Sequence, residues 1–175
     1  MDDPGIAAVE IESHLLPDDG AFPNSRLPLL VYRGALALPR WDAQGAIEKL
    51  LEGNGWSNCW RGGVYAYDHY HSTTHEVLVC FRGWARVRFG GPHGILAGIK
   101  AGDAVAIPAG VAHKNLDCDR HFGVVGAYPG GGDWDLCYGQ ADERPAADER
   151  IARVRLPEAD PIYGASGPLI EQWRG

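Results

Sequence analysis

The sequence predicts an all-β fold, a sandwich or barrel of short antiparallel strands. Three observations carry that expectation. From Gly62 onward the apolar pattern has a period of two, in runs over 63–71, 75–82, 84–90, 94–100, 103–107, 111–116 and 121–128, spaced about 8–12 residues apart. Glycine and proline number 24 and 12 of 175 residues, about a fifth of the chain against roughly 12% in ordinary usage, and they fall between the runs as turn formers. The connections are too short for the helical crossovers that parallel strands need, so the sheet should be antiparallel.

The elements follow in order. Residues 1–27 read as an acidic, turn-rich extended arm, and 28–34 (PLLVYRG) as a strand. Asp42 is a candidate helix N-cap. Behind it Ala43, Ala46, Ile47, Leu50 and Leu51 recur at helical spacing until Gly53 and Gly55 stop the run, which predicts one amphipathic helix over 43–53 packed outside the sheet. The Gly-, Asp- and Pro-rich stretch 130–149 reads as a long loop, and Ile151–Leu156 as a last strand. Ile162, Tyr163, Leu169, Ile170 and Trp173 need cover, so the tail 160–175 should pack back on the body. All of this is expected to form one domain over 1–175, with a barrel core at 28–129 and the loop, last strand and tail at 130–175.

Charge and composition narrow the function classes. Sixteen Lys and Arg against 23 Asp and Glu leave a net charge of −7, which argues against nucleic acid or an anionic membrane surface as partner. No stretch of 18 apolar residues exists, and the first twenty residues, with Asp2, Asp3, Glu10, Glu12, Asp18 and Asp19, do not form a signal peptide. Cys59, Cys80, Cys118 and Cys137 are scattered without a CxxC pair, the pattern of reduced thiols in a cytoplasm.

The chemistry concentrates in one cluster. Three of the seven histidines, His69, His71 and His75, fall within seven residues, and Glu76 follows at once. Residues two apart on a strand share a face, so His69 and His71 can hold one divalent ion between them. A turn at Ser72-Thr73-Thr74 would return Glu76 beside them. His75 competes with Glu76, since adjacent strand residues face opposite ways. His113, after the turn signal Pro108-Ala109-Gly110, is the fourth candidate. His14, His93 and His121 have no partner at ligand spacing. Cys80 lies roughly 13 Å along the strand from Glu76, too far for a ligand.

These residues resemble the cupin superfamily. Gly63-x5-His69-x-His71-x4-Glu76-x6-Gly83 matches the first cupin motif at every fixed position, and Gly102-x5-Pro108-x-Gly110-x2-His113 matches the second through its histidine. The second motif usually ends on Asn, whereas Asp117 stands there and the Asn is at 115. HYHSTTHEVL, IPAGVAHKNL, VVGAYPGG and DPIYGASGPL further resemble the YjlB-like single-domain subfamily, over roughly residues 28–170. The resemblance implies a double-stranded β-helix (a jelly-roll barrel) with a divalent metal, Fe, Mn, Ni or Zn, held by His69, His71, Glu76 and His113.

Strand parity puts Tyr65 and Tyr67 on the His69 face, Cys80 on the Glu76 face and Asn115 on the His113 face, as possible neighbours of the metal. Leu78, Val87, Phe89 and one parity of Val105 and Ile107 should line the interior, with Arg86 and Arg88 outside. The expected function is a metal-binding cupin of small-molecule substrate, of dioxygenase type or, less favoured, an isomerase or lyase. The alternative is a non-catalytic sensor or storage module. No residue outside the metal set stands out as catalytic. A homodimer is expected, using Val31, Tyr32, Trp41 and Trp84.

Overall fold

The computed structural model describes residues 4–7 and 9–175. Among the described residues, eleven strands run in the order β1 (Gly5–Ile6), β2 (Ile11–His14), β3 (Leu29–Tyr32), β4 (Leu36–Ala37), β5 (Trp56–Gly62), β6 (Glu76–Arg82), β7 (Trp84–Phe89), β8 (Ile95–Lys100), β9 (Ala104–Ile107), β10 (His113–Cys118) and β11 (Gly123–Pro129). Helix α1 (Ala43–Gly53) lies between β4 and β5, and α2 (Ala146–Arg153) and α3 (Pro168–Arg174) follow β11.

Two antiparallel sheets face each other without closing. One has the order β2-β3-β9-β6-β11-β5, the other β10-β7-β8. His69 extends the second sheet through an isolated bridge to His113. The strand order β5-β11-β6-β9 opposite His69-β10-β7-β8 is that of a jelly roll, the double-stranded β-helix. β1 and β4 make a separate two-stranded ribbon.

Period two along β6 divides the core. Leu78 and Cys80 point between the sheets, into a core shared with Val87, Phe89, Val105 and Ile107. Val77 and Val79 point the other way, into a second core against Ile47 and Leu51 of α1, Ile162, and Leu169 and Trp173 of α3. α1 has the bounds its periodicity predicts, and the Asp42 side chain caps it by accepting from the Gly45 N–H at 3.1 Å. On the outer face of β7, Arg86 is exposed and Arg88 pairs with Asp68 at 2.6 Å.

The structure differs from expectation in four places, the first being that α2 begins at Ala146, inside the loop expected over 130–149. The strand expected over 63–71 lies earlier, at β5, and 63–68 carries none. Asn58 has φ 58° and the β5–β11 register slips between Gly126 and Tyr128, so a bulge hides the alternation of β5. The strand expected at Ile151–Leu156 is instead the last turn of α2 and the extended chain after it. Ala146-Ala147-Asp148-Glu149 starts that helix with good helix formers and acidic residues in the first turn, and Arg150 and Arg153 close it, all favourable to the helix dipole. Val31 and Tyr32, expected at a dimer surface, are fully buried within the chain, whereas Trp41 is 80% and Trp84 45% exposed.

Candidate metal centre

Four side chains from three places in the sequence meet at the inner end of the barrel. His69 and His71 lie on the segment entering the turn before β6, Glu76 is the first residue of β6, and His113 is the first residue of β10. The backbones of His69 and His113 exchange both hydrogen bonds, N–H to O at 3.3 and 2.9 Å, which brings their rings to a 4.0 Å centroid separation. The ligand nitrogens of His69, His71 and His113 lie within 4.8 Å of one another, and all three residues are buried.

The tautomers are set by the backbone. Nδ1 of His69 lies 3.0 Å from the Tyr67 carbonyl, Nδ1 of His71 2.5 Å from that of Asp135, and Nδ1 of His113 3.1 Å from that of Val111. A carbonyl only accepts, so each Nδ1 must carry the proton and each Nε2 turns a lone pair inward. Glu76 Oε2 sits 3.2 Å from His71 Nε2 and 3.3 Å from His113 Nε2, fully buried, yet makes no hydrogen bond. A carboxylate oxygen facing imidazole lone pairs in a dry site is unfavourable unless a cation or a proton lies between them. The donor set therefore fits a divalent ion: three neutral nitrogens and one anionic oxygen, each held by a second bond.

The electrostatics follow the same geometry. Burial, and then the neighbouring His113, pushes His69 down to about 3, which keeps its imidazole neutral. Burial also opposes charge on His71, but the Glu76 carboxylate outweighs it and raises the pKa. Burial likewise opposes charge on Glu76, and His113 and His71 outweigh it, holding the carboxyl below its ordinary range.

His75 takes no part in the cluster. Its Nδ1 accepts from the Ala109 N–H at 2.9 Å, and its ring packs against Trp173 of α3 with centroids 4.8 Å apart. It faces the outer core, one residue out of phase with Glu76.

The other residues suggested by parity are dispersed. Tyr65 lines the cavity mouth, and Tyr67 stacks on it at 4.9 Å; both touch the His69 ring edge to face. Cys80 faces the inner core further along β6 and donates to the Arg82 carbonyl, and burial raises its thiol to about 12. Asn115 donates to Cys118 Sγ, outside the cavity.

Two partners were not foreseen. Tyr128 donates to Glu76 Oε1 at 3.3 Å and accepts from Trp60 Nε1 at 2.8 Å, a chain that fixes the carboxylate and leaves Oε2 to the imidazoles. The Asp135 carbonyl accepts from His71 Nδ1, and its carboxylate accepts from the Ser72 and Thr73 N–H groups at 2.6 and 3.2 Å. Alternation along β11, Val124 and Tyr128 inward against Val125 and Ala127 outward, was a legible signal for Tyr128. Nothing in sequence marks a backbone carbonyl such as that of Asp135.

YjlB of Bacillus subtilis (strain 168), itself described as uncharacterized, is 46% identical over 165 residues, 94% of this chain and 97% of that one. The chain belongs to the YjlB family. No family model matches it. Among solved structures, acireductone dioxygenase from Bacillus anthracis, with a cadmium ion in its active centre, is similar to this YjlB-family chain over 54% of it and 64% of the dioxygenase, at 18% identity and a TM-score of 0.39. The coconut allergen cocosin is similar over 46% of it, at 17% identity and a TM-score of 0.39, and the chain spans 23% of that protein's length.

Proposed function

We propose that this chain is a metal-binding cupin in which His69, His71, Glu76 and His113 hold one divalent ion, Fe, Mn, Ni or Zn, and that the ion serves a small molecule bound in the cavity above it. The observation that carries this is the convergence of three tautomer-locked Nε2 atoms and the orphaned Glu76 Oε2 on one buried point. Such an ion, with four protein ligands, keeps positions open for a substrate or dioxygen and acts on it as a Lewis acid or redox centre.

The chain's residues supply the rest. Trp60, Leu78, Tyr128 and Trp134 wall a cavity of about 330 Å3, within the range of small-molecule sites. Burial above all, and the facing Glu76, raises the Tyr128 phenol, so it remains a donor to Glu76 rather than a base. With no acid–base group near neutrality in the wall apart from the ligands, the geometry favours chemistry activated at the metal, of dioxygenase type, over acid–base isomerisation.

The test is elemental analysis of untagged protein with its variants. About one equivalent of metal per chain is expected. His71→Ala and His113→Ala should abolish it, Glu76→Gln should weaken it, and His75→Ala should leave it unchanged. An empty site that also refuses all four metals added back would end the proposal, as would loss of metal on His75→Ala alone.

A further inference from the structure

His71 is held differently from the other two imidazoles. The carbonyls facing Nδ1 of His69 and His113 belong to Tyr67 and Val111, each two residues back on the same stretch of chain. His71 reaches instead to Asp135, 64 residues on, in the loop after β11. Its other nitrogen has a competing acceptor, Glu76 Oε2, 3.2 Å from Nε2. A neutral imidazole carries one proton, and either acceptor can take it. On Nδ1 the proton leaves the Nε2 lone pair facing the cluster. On Nε2 it is donated to Glu76, and that lone pair is lost. His113 faces the same oxygen at 3.3 Å, but its Val111 carbonyl needs no loop to deliver it.

The orientation of the Asp135 carbonyl therefore decides the state of His71, and a set of side-chain contacts fixes it. The Asp135 carboxylate accepts from the Ser72 and Thr73 N–H groups and from the Ser72 hydroxyl. Ser72 and Thr73 directly follow His71, so the side chain grips the turn while the carbonyl of the same residue returns to the ring before it. Arg150 of α2 completes the set. Its Nε donates to Ser72 Oγ at 2.6 Å and lies 3.6 Å from Asp135 Oδ2, setting a positive charge against the carboxylate. The loop has a separate attachment, the Tyr70 and Cys137 backbones, which exchange both hydrogen bonds at 2.9 Å. Removing either side chain thus alters the aim of the carbonyl without undocking the loop.

We propose that Asp135, steadied by Arg150, is a positioning residue for His71: it keeps the imidazole proton on Nδ1 against the pull of Glu76, and so keeps the Nε2 lone pair open to a cation. This deepens the metal reading above, and rests on it for the last step.

The test reads the ring tautomers of metal-free, isotope-labelled full-length protein by long-range proton–nitrogen correlation at about pH 9, where histidine is neutral. In the parent, His69, His71 and His113 should all carry the proton on Nδ1. In Asp135→Ala the His71 proton should move largely to Nε2, with His69 and His113 unchanged. Arg150→Met keeps the stem of a partly exposed side chain and should shift His71 the same way, to a smaller extent. Zinc affinity, from competition with a coloured chelator, should fall about tenfold in Asp135→Ala. Three results would overturn the proposal: His71 keeping its proton on Nδ1 in both variants, all three rings changing together, or zinc affinity unmoved in a variant whose His71 has shifted. An Arg150→Met spectrum identical to the parent's would remove Arg150 from it. A parent that binds none of zinc, iron, manganese and nickel, while His71 alone shifts in the variants, would end the metal reading and leave the hold on the proton standing.

Discussion

Tyr128 decides how Glu76 is presented. Its hydroxyl occupies Oε1, and Trp60 in turn fixes the hydroxyl, so the carboxylate has one free oxygen and one orientation. Partners of this kind are typically worth about 10–100-fold in metal affinity. Tyr128→Phe keeps the ring and removes both bonds, so metal affinity of the folded protein is expected to fall roughly tenfold, and the metal-free protein to lose about 1 kcal/mol because the Trp60 N–H loses its acceptor. Metal affinity unchanged in a variant that lost this stability would mean the tyrosine acts only in packing. Gly126 supports the same unit: any side chain there would displace Trp60, and with it the donor to Tyr128.

At the scale of elements, β6 separates two tasks by alternation alone. Its Glu76 face meets the imidazoles of His71 and His113; the His75 face packs on α3. Burial pushes His75 down to about 4, partly offset by the Arg155 backbone, against an ordinary value of 6.5. The folded chain keeps this ring neutral while the unfolded chain protonates it below 6.5, so its stabilisation is present above that pH and is lost as pH falls toward 4. The loss should be on the order of 1–3 kcal/mol. His75→Asn keeps an acceptor for the Ala109 N–H and removes the titration. Urea midpoints of metal-free protein at pH 7.5 and 5 should therefore differ less in the variant than in the parent, and equal differences would refute the assignment.

The C-terminal segment is pinned by one carboxylate. Asp160, fully buried, accepts from Tyr32 Oη at 2.8 Å and from the N–H groups of Ile162, Tyr163 and Leu169 at 2.8, 3.0 and 3.0 Å. Removing it leaves four buried donors without an acceptor. Asp160→Ala is expected to cost on the order of 4 kcal/mol in denaturant unfolding, and Asp160→Asn clearly less because one oxygen remains. A surface-like loss under about 0.5 kcal/mol would mean that the segment is not held this way.

For the whole molecule, the interior and the surface divide cleanly enough to say where a second copy would sit. Val31 and Tyr32 are spent inside the chain. Trp84 and Leu96, 45% and 59% exposed, stand on the outer face of the β7–β8 pair, and β8 is an edge strand among the described residues. The homodimer proposed from the sequence would use this face. Light scattering at micromolar concentration is expected to give twice 18.9 kDa, and Trp84→Glu to halve it; a parent protein already at 18.9 kDa ends the idea. No helix of the described residues is long and apolar enough to cross a membrane.

The alternation of β6 to β11, the glycine-bounded α1 and the shared face of His69 and His71 were legible in the chain, because each depends on neighbours one to four residues away; Glu76 and His113 were marked by the turns before them and by the motif resemblance. Period two assigned the inward face of β6 before any partner strand was known. Three things were not legible. β5 was hidden because its bulge at Asn58 is forced by pairing with β11, a partner more than sixty residues on. The end of α2 read as a strand because Ile151 and Val154 are apolar at either period, and only the surrounding helix formers and the tertiary site decide between them. The tautomers of the three imidazoles, on which the metal reading turns, depend on carbonyls of Tyr67, Val111 and Asp135, and a carbonyl is the same in every residue. Local spacing therefore placed the candidate side chains on common faces, while only the folded chain brought their lone pairs to one point.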